Sequence, residues 1–195
     1  MLPLACAVRP SDASRWCGFE ASPDYERQMP LWFRSAIFTL FFPGSVAGLV
    51  PYLLATGSHR LTLSLGPIRW LGLPIFALGL MVYLSTTWHF GTVGRGTPAP
   101  WDAPRELVRT GLHAWVRNPM YLGVLLCILG EAMLWQSGML FVYTIIVWGV
   151  FHLRVLTYEE PVLRRTFGAG FDAYVERVPR WVPRRPDSGR RPGSM

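Results

Sequence analysis

Two apolar runs, PMYLGVLLCILGEAMLW at 119–135 and MLFVYTIIVWGVFHL at 139–153, stand apart by only Gln136-Ser137-Gly138, and their reading decides the fold. Their apolar residues are continuous, not spaced by three and four as on a soluble amphipathic helix. At a rise of about 1.5 Å per residue each run spans about 25 Å or less, short of a hydrocarbon core of roughly 30 Å. The second run is therefore expected to continue past Arg154 to about Tyr158, because nothing breaks a helix before Pro161. The product is a helical hairpin with both ends on one side of a membrane. Polar motifs stand at those ends: TGLHAWVRNP at 110–119 before the first run, and TYEEP at 157–161 after the second.

The rest of the chain follows the same pattern. Of its 195 residues 51% are hydrophobic, and they cluster in stretches almost without charge. The expected fold is an all-α integral membrane protein of about four transmembrane helices, the last two a tight hairpin, with a C-terminal amphipathic helix. A polar tail, 1–30, precedes a membrane domain over 31–183. Spans are expected at about 31–55, 67–90, 119–135 and 139–158, with a loop at 91–117, an amphipathic helix at 161–178 and a disordered tail at 184–195. Pro43, Gly44, Gly48 and Pro51 allow a kink in the first span, while Gly72, Ala77 and Gly79 allow a neighbour to approach the second. Leu163, Phe167, Phe171, Tyr174 and Val178 form the stripe of the amphipathic helix, with a bend expected at 168–170.

Charge orients the bundle. All 19 basic side chains are arginine, and only Arg60 and Arg69 fall on the far side of this topology. The positive-inside rule then places both termini and the long loop in the cytoplasm, at the inner membrane if the source is bacterial. The arginines lie beside apolar spans and are not interleaved with aromatics on a soluble face, which argues against nucleic acid as a partner. Cys6, Cys17 and Cys127 form no C-x-x-C pair, and no H-E-x-x-H, G-x-S-x-G or Walker pattern occurs, so metal, serine-nucleophile and triphosphate chemistry lose support. Met1 to Pro30 is mixed in charge and does not read as a signal peptide.

Candidate site residues come from the two polar motifs. Asn118 before Pro119 suits a helix start, Asn as N-cap and Pro at the first helical position. The same helix end, with Arg117 beside it, attracts an anion. Tyr121 and Gly123 lie one turn in, where Gly123 gives either room for a ligand or a close helix contact. Two adjacent carboxylates, Glu159 and Glu160, are costly next to an apolar core unless cations satisfy them. They are either neutralised by Arg154, Arg164 or Arg165, or they bind a ligand. His89 reads as interfacial, His152 lies on roughly the Glu159 face, and Glu131 is expected to snorkel or cap the turn at the far interface.

These motifs resemble the membrane-embedded methyltransferases that include isoprenylcysteine carboxyl methyltransferase and, more distantly, phosphatidylethanolamine N-methyltransferase. The family pattern is G-x-Y-x-x-x-R-H-P-x-Y-x-G, a helical hairpin, an E-E pair, then F-G-x-x-Y-x-x-Y and V-P-R or similar. In register stand Gly111, Arg117, Pro119, Tyr121, Gly123, Glu159, Glu160, Phe167, Gly168, Tyr174, Val178 and Pro179. Gly94 and Gly96 resemble the G-x-G of the phospholipid enzymes. The resemblance implies S-adenosylmethionine as cofactor and a lipophilic small molecule or lipid as substrate, met among membrane lipids at the cytoplasmic face, with no metal. It further implies that His113, Asn118, Tyr121, Glu159, Gly94 and Gly96 bind the cofactor. Arg117 would orient a carboxylate of cofactor or acceptor, and Glu160 would secure a neighbouring Arg or the cofactor amine, as the catalytic pair. Three positions depart from the pattern: Asn118 replaces His, His113 replaces Tyr, and Phe171 replaces Tyr. Asn cannot carry a proton near neutral pH, so ligand binding is the role left to Asn118. A membrane reductase using NADPH and a non-enzymatic membrane scaffold or sensor are the rival readings.

Overall fold

A computed structural model describes residues 41, 43–57, 61–93 and 107–185. The polar tail at 1–30, residues 31–40 and 42 of the first expected span, Gly94 and Gly96, and the tail from 186 onward lie outside the described residues. Among the described residues the chain is helical, with one isolated antiparallel bridge between Thr62 and Ser137 and no strand.

Six helices carry the fold among the described residues. α1 is Ser45–Thr56, α2 is Gly72–Val93, α3 is Pro119–Leu134, α4 is Gly138–Arg154, α5 is Glu160–Phe167 and α6 is Ala169–Arg177. A 3-10 turn, Gly66–Leu71, leads into α2, and another, Gly111–Ala114, precedes α3. Among the described residues two helical stretches are long and apolar enough to cross a membrane, Gly66–His89 and Gly138–Phe167, whereas α1 and α3 are shorter apolar helices. Their outward faces carry large apolar side chains, such as Leu73 at 58% and Ile145 at 67% exposure. Apolar surface on that scale is what lipid covers, and it fits a membrane location.

α2 and α3 approach at backbone distance. A Cβ on Gly79 would sit 2.6 Å from the Cys127 nitrogen and 2.7 Å from the Gly123 oxygen; one on Gly130 would sit 2.6 Å from the Gly72 oxygen. Gly72 thus faces Gly130 and Gly79 faces Gly123, pairs two helical turns apart on antiparallel helices. Lipid tails are as apolar as leucine, so such close van der Waals contact is what holds membrane helices together. Gly123 is therefore a packing residue against α2, and the room-for-ligand reading falls away. Behind this seam Ile128 and Leu140 are fully buried, and Val124, Leu125, Val147 and Phe151 complete the core.

The α3–α4 hairpin forms as expected, closed by Gln136 at a φ of 52°. The segment before α2 clasps its turn: the Leu63 amide donates to the Gln136 oxygen at 2.8 Å, and the Gly138 amide to the Leu61 oxygen at 2.6 Å.

Beyond Arg154 the helix does not stop at Pro161 but runs to Phe167. A π-helical turn, Val155–Glu159, makes this possible. Proline lacks an amide hydrogen and its ring crowds the carbonyl four residues back, so a widened turn just ahead relieves both problems. The same device recurs in α1, where the π turn Ser45–Leu49 precedes Pro51 and the Tyr143 hydroxyl donates to the Val46 oxygen at 3.0 Å. The expected amphipathic helix at 161–178 is accordingly two pieces, α5 fused to the long helix and α6 beyond Gly168, whose φ of 50° and ψ of −131° suit glycine alone.

Candidate functional site

The site gathers where the start of α3, the π turn ahead of α5, and the segment after α6 meet. Pro119 opens α3 as expected. Asn118, however, makes no side-chain cap: its Nδ2 donates to the Arg180 oxygen at 3.2 Å. The Arg117 amide donates to the Pro179 oxygen at 2.9 Å, and the Arg184 amide to the Trp115 oxygen, also at 2.9 Å. The segment 178–184 is thus a strap laid across the turn that begins α3.

The π turn separates the two carboxylates. Glu159 faces the helix pair, where it accepts from the Tyr121 hydroxyl and, at 2.9 Å, from Arg154 Nε. Tyr121 is fixed by stacking on Phe151, with centroids 4.4 Å apart. Glu160 faces the strap: Oε1 accepts from Arg117 Nη1 at 2.9 Å and from Arg180 Nε at 2.7 Å, and Oε2 accepts from Arg180 Nη2 at 3.0 Å. The helix does not end at these residues, so they do not sit against the negative end of a helix dipole; Glu160 lies in the first turn of α5. Arginines neutralise the pair, but of those expected Arg154 alone does so, joined by Arg117 and Arg180, while Arg164 pairs with Asp172 instead.

Three guanidinium groups therefore meet two carboxylates, leaving one net positive charge in a largely buried place. Arg117 and Glu160 side chains are only 11% and 12% exposed. Burial pushes the Arg117 guanidinium below its ordinary value while Glu160 pulls it back up, and it stays charged at any physiological pH. Its Nε is buried without a hydrogen-bond partner among the described residues.

His113 lies on the neighbouring 3-10 turn. Its carbonyl accepts from the Tyr174 hydroxyl at 2.7 Å, which ties that turn to α6. Burial, reinforced by nearby His89, lowers the His113 imidazole to about 4, so it is neutral at physiological pH. Its Nδ1 is, among the described residues, the second buried nitrogen without a partner. His89 pairs with the Thr110 hydroxyl at 2.8 Å and lies against Gly111, whose φ of +62° lets the chain turn under the ring. His152 stacks on Trp148 and accepts from Trp181 Nε1 at 3.0 Å. Glu131 stands apart from the site, at the other end of α3, with Oε2 buried and unpartnered among the described residues.

Five expected residues, Arg117, Asn118, Tyr121, Glu159 and Glu160, thus share one cluster, and His113 adjoins it. Arg180, Trp181 and Phe151 belong to it without having been singled out from the sequence. For Arg180 a signal existed, since it directly follows Val178-Pro179 in a V-P-R run.

Helices apolar enough to cross a membrane, with an ionic cluster at the open end of a hairpin, define a class of membrane-type helical proteins with a polar site beside apolar surface. Within that class the chain belongs to the Phospholipid methyltransferase family, which residues 67–170 match over more than half its length. Among curated relatives, a Protein-S-isoprenylcysteine O-methyltransferase of Schizosaccharomyces pombe is 36% identical over 80 residues, 40% of this chain and 33% of that protein. Protein-S-isoprenylcysteine O-methyltransferase B of Arabidopsis thaliana is 34% identical over 79 residues, 40% of each chain. The chain therefore spans well under half the length of these relatives. Arg180 and Trp181 lie beyond the residues that match the family.

Proposed function

We propose that the protein transfers a methyl group from S-adenosylmethionine to a lipophilic acceptor, a carboxylate or amine of a lipid-like molecule, at the cytoplasmic membrane face. The observation that carries this reading is the cluster of Arg117, Asn118, Tyr121, Glu159 and Glu160 inside the stretch that matches the family. Names of the relatives, both isoprenylcysteine O-methyltransferases, support methyl transfer to a lipophilic acceptor. The arginine distribution supports the cytoplasmic face.

The residues present fit such a cofactor. Its carboxylate would satisfy Arg117 Nε and the net positive charge, and a polar heterocycle would satisfy His113 Nδ1. Tyr121, Asn118 and Glu159 would hold the remaining polar groups by exchanging part of their present bonds. When bound, S-adenosylmethionine supplies a methyl group on a sulfonium, open to in-line displacement. The protein's part is to align the two partners and exclude water, and alignment alone is worth several orders of magnitude in rate. Apolar faces of α2 and α4 supply a route from the bilayer for the acceptor.

The test uses the full chain, purified in detergent or nanodiscs. Calorimetric titration with S-adenosylmethionine is expected to show binding that Tyr121→Ala or Glu159→Ala weakens about tenfold or more, the loss of one or two charge-assisted hydrogen bonds. Enriched membranes given labelled donor are expected to form a labelled lipid-soluble product. No binding, protection by NADPH instead, or an inert result across lipid extracts overturns the proposal.

A further inference from the structure

We infer that Arg180 is a positioning residue that keeps Arg117 available to an anionic ligand; this rests on the methyl-donor reading above. Glu160 sits between two arginines and is shared unequally. Arg180 grips it with two bonds, Nε to Oε1 at 2.7 Å and Nη2 to Oε2 at 3.0 Å, whereas Arg117 makes one, Nη1 to Oε1 at 2.9 Å. A carboxylate facing a lone buried guanidinium takes it by both edges, since the paired fork is the stronger geometry. Here the second carboxylate oxygen is already engaged, so Arg117 is anchored at one nitrogen while Nε stays buried and unpartnered. That is the geometry of an arginine steadied on one side and ready for a ligand carboxylate on the other.

The strap makes the device possible. Arg180 is held by its own carbonyl, which accepts from Asn118, and by the preceding Pro179 carbonyl, which accepts from the Arg117 amide. Trp181, bonded to His152, pins the next residue onto α4. The competitor for Glu160 is therefore fastened to the same turn that carries Arg117. Removing Arg180 frees Glu160 to close on Arg117 with both oxygens, so the ligand must displace a carboxylate to bind.

The experiment is a double-mutant cycle on the full-length protein in nanodiscs, with S-adenosylmethionine as titrant and lipid extract as acceptor source. R180A is expected to raise Kd and KM for the donor about tenfold with kcat at saturating donor little changed, and R180K, which keeps one bond to Glu160, about threefold. In an E160Q background, where no carboxylate competes, R180A and R180K are expected to alter donor KM less than about twofold. If the effect persists in that background, Arg180 acts through the strap's fold or touches the ligand directly, and the inference fails. Should R180A unfold, R180K carries the same comparison. A wild type that binds no donor overturns the donor reading and this inference with it; a wild type that binds donor and is matched by R180A and R180K overturns this inference alone.

Discussion

The seam between α2 and α3 and the cluster at the start of α3 lie on one helix but are built from opposite materials. At the seam, four glycines bring two backbones together, and the Cys127 thiol donates weakly to the Phe76 oxygen at 3.8 Å. At the cluster, five charged side chains from the α3 turn, the α4 end, the α5 start and the strap join these segments, beside backbone bonds from the Arg117 amide to Pro179 and from the Arg184 amide to Trp115. The contrast shows a division of labour: shape fixes where α3 stands, and charge fixes what is presented at its end. Shape tolerates no added atom, whereas charge tolerates exchange of partners, which a binding site requires.

The largest effect is expected at the seam. Gly79→Leu places a side chain where even a Cβ lies 2.6 Å from the Cys127 nitrogen, and backbone cannot step aside as a flexible side chain does. Overpacking of this kind costs about 3 kcal/mol or more and is expected to abolish the folded protein. Retention of a sharp unfolding transition in detergent within a few degrees of wild type would refute the close seam. Next comes Glu160→Ala, which leaves Arg117 and Arg180 facing one another in a largely buried place. Breaking one partner of such a network costs about 3 kcal/mol, and Glu160→Gln should recover part of it. Equal midpoints for alanine and glutamine variants would mean that the carboxylate bonds matter less than the side-chain volume.

Acid should reveal the cluster's neighbour. His113 is lowered to about 4 in the folded protein by burial and by His89, against 6.5 ordinarily. The unfolded chain therefore takes up a proton first. Stability from this residue is fully present above about pH 6.5 and is lost as pH falls toward 4, at most about 3 kcal/mol in total. His113→Gln is expected to flatten that part of the acid limb relative to wild type; parallel limbs would show that His113 is already solvated.

The two regions differed equally in how far the sequence disclosed them. Gly72 and Gly79 announced a close approach because a membrane helix with spaced small residues has few other uses for them. The hairpin was legible for the same reason, since a three-residue link between apolar runs leaves one geometry. Arg117, Glu159 and Glu160 were legible as costly charges beside apolar spans, but their partners were not. Pairing across 43 residues between Arg117 and Glu160, or 20 between Glu160 and Arg180, depends on where the strap returns, and no periodicity encodes that. Asn118 misled as a cap because cap and strap contact use the same residue type at the same position. Pro161 misled as a stop because the π turn that absorbs it has no sequence signature of its own.

The smallest effect sharpens the comparison most cleanly, because it asks the same residue type to behave oppositely. Gly149 lies inside α4 with nothing within 4 Å of where a Cβ would stand. Alanine there meets no backbone and removes glycine's conformational freedom from a helix interior, so Gly149→Ala is expected to stabilise by up to about 1 kcal/mol. At Gly79 alanine supplies the same propensity gain, yet its Cβ falls 2.6 Å from the Cys127 nitrogen and must push α3 aside. The unfolding midpoint should therefore rise for Gly149→Ala and fall for Gly79→Ala. Because α3 carries Tyr121 and directly follows Arg117 and Asn118, only the second substitution should also weaken the proposed donor binding. If both variants moved in the same direction, helix propensity would outweigh contact at the seam, and the glycines there would be incidental to the packing.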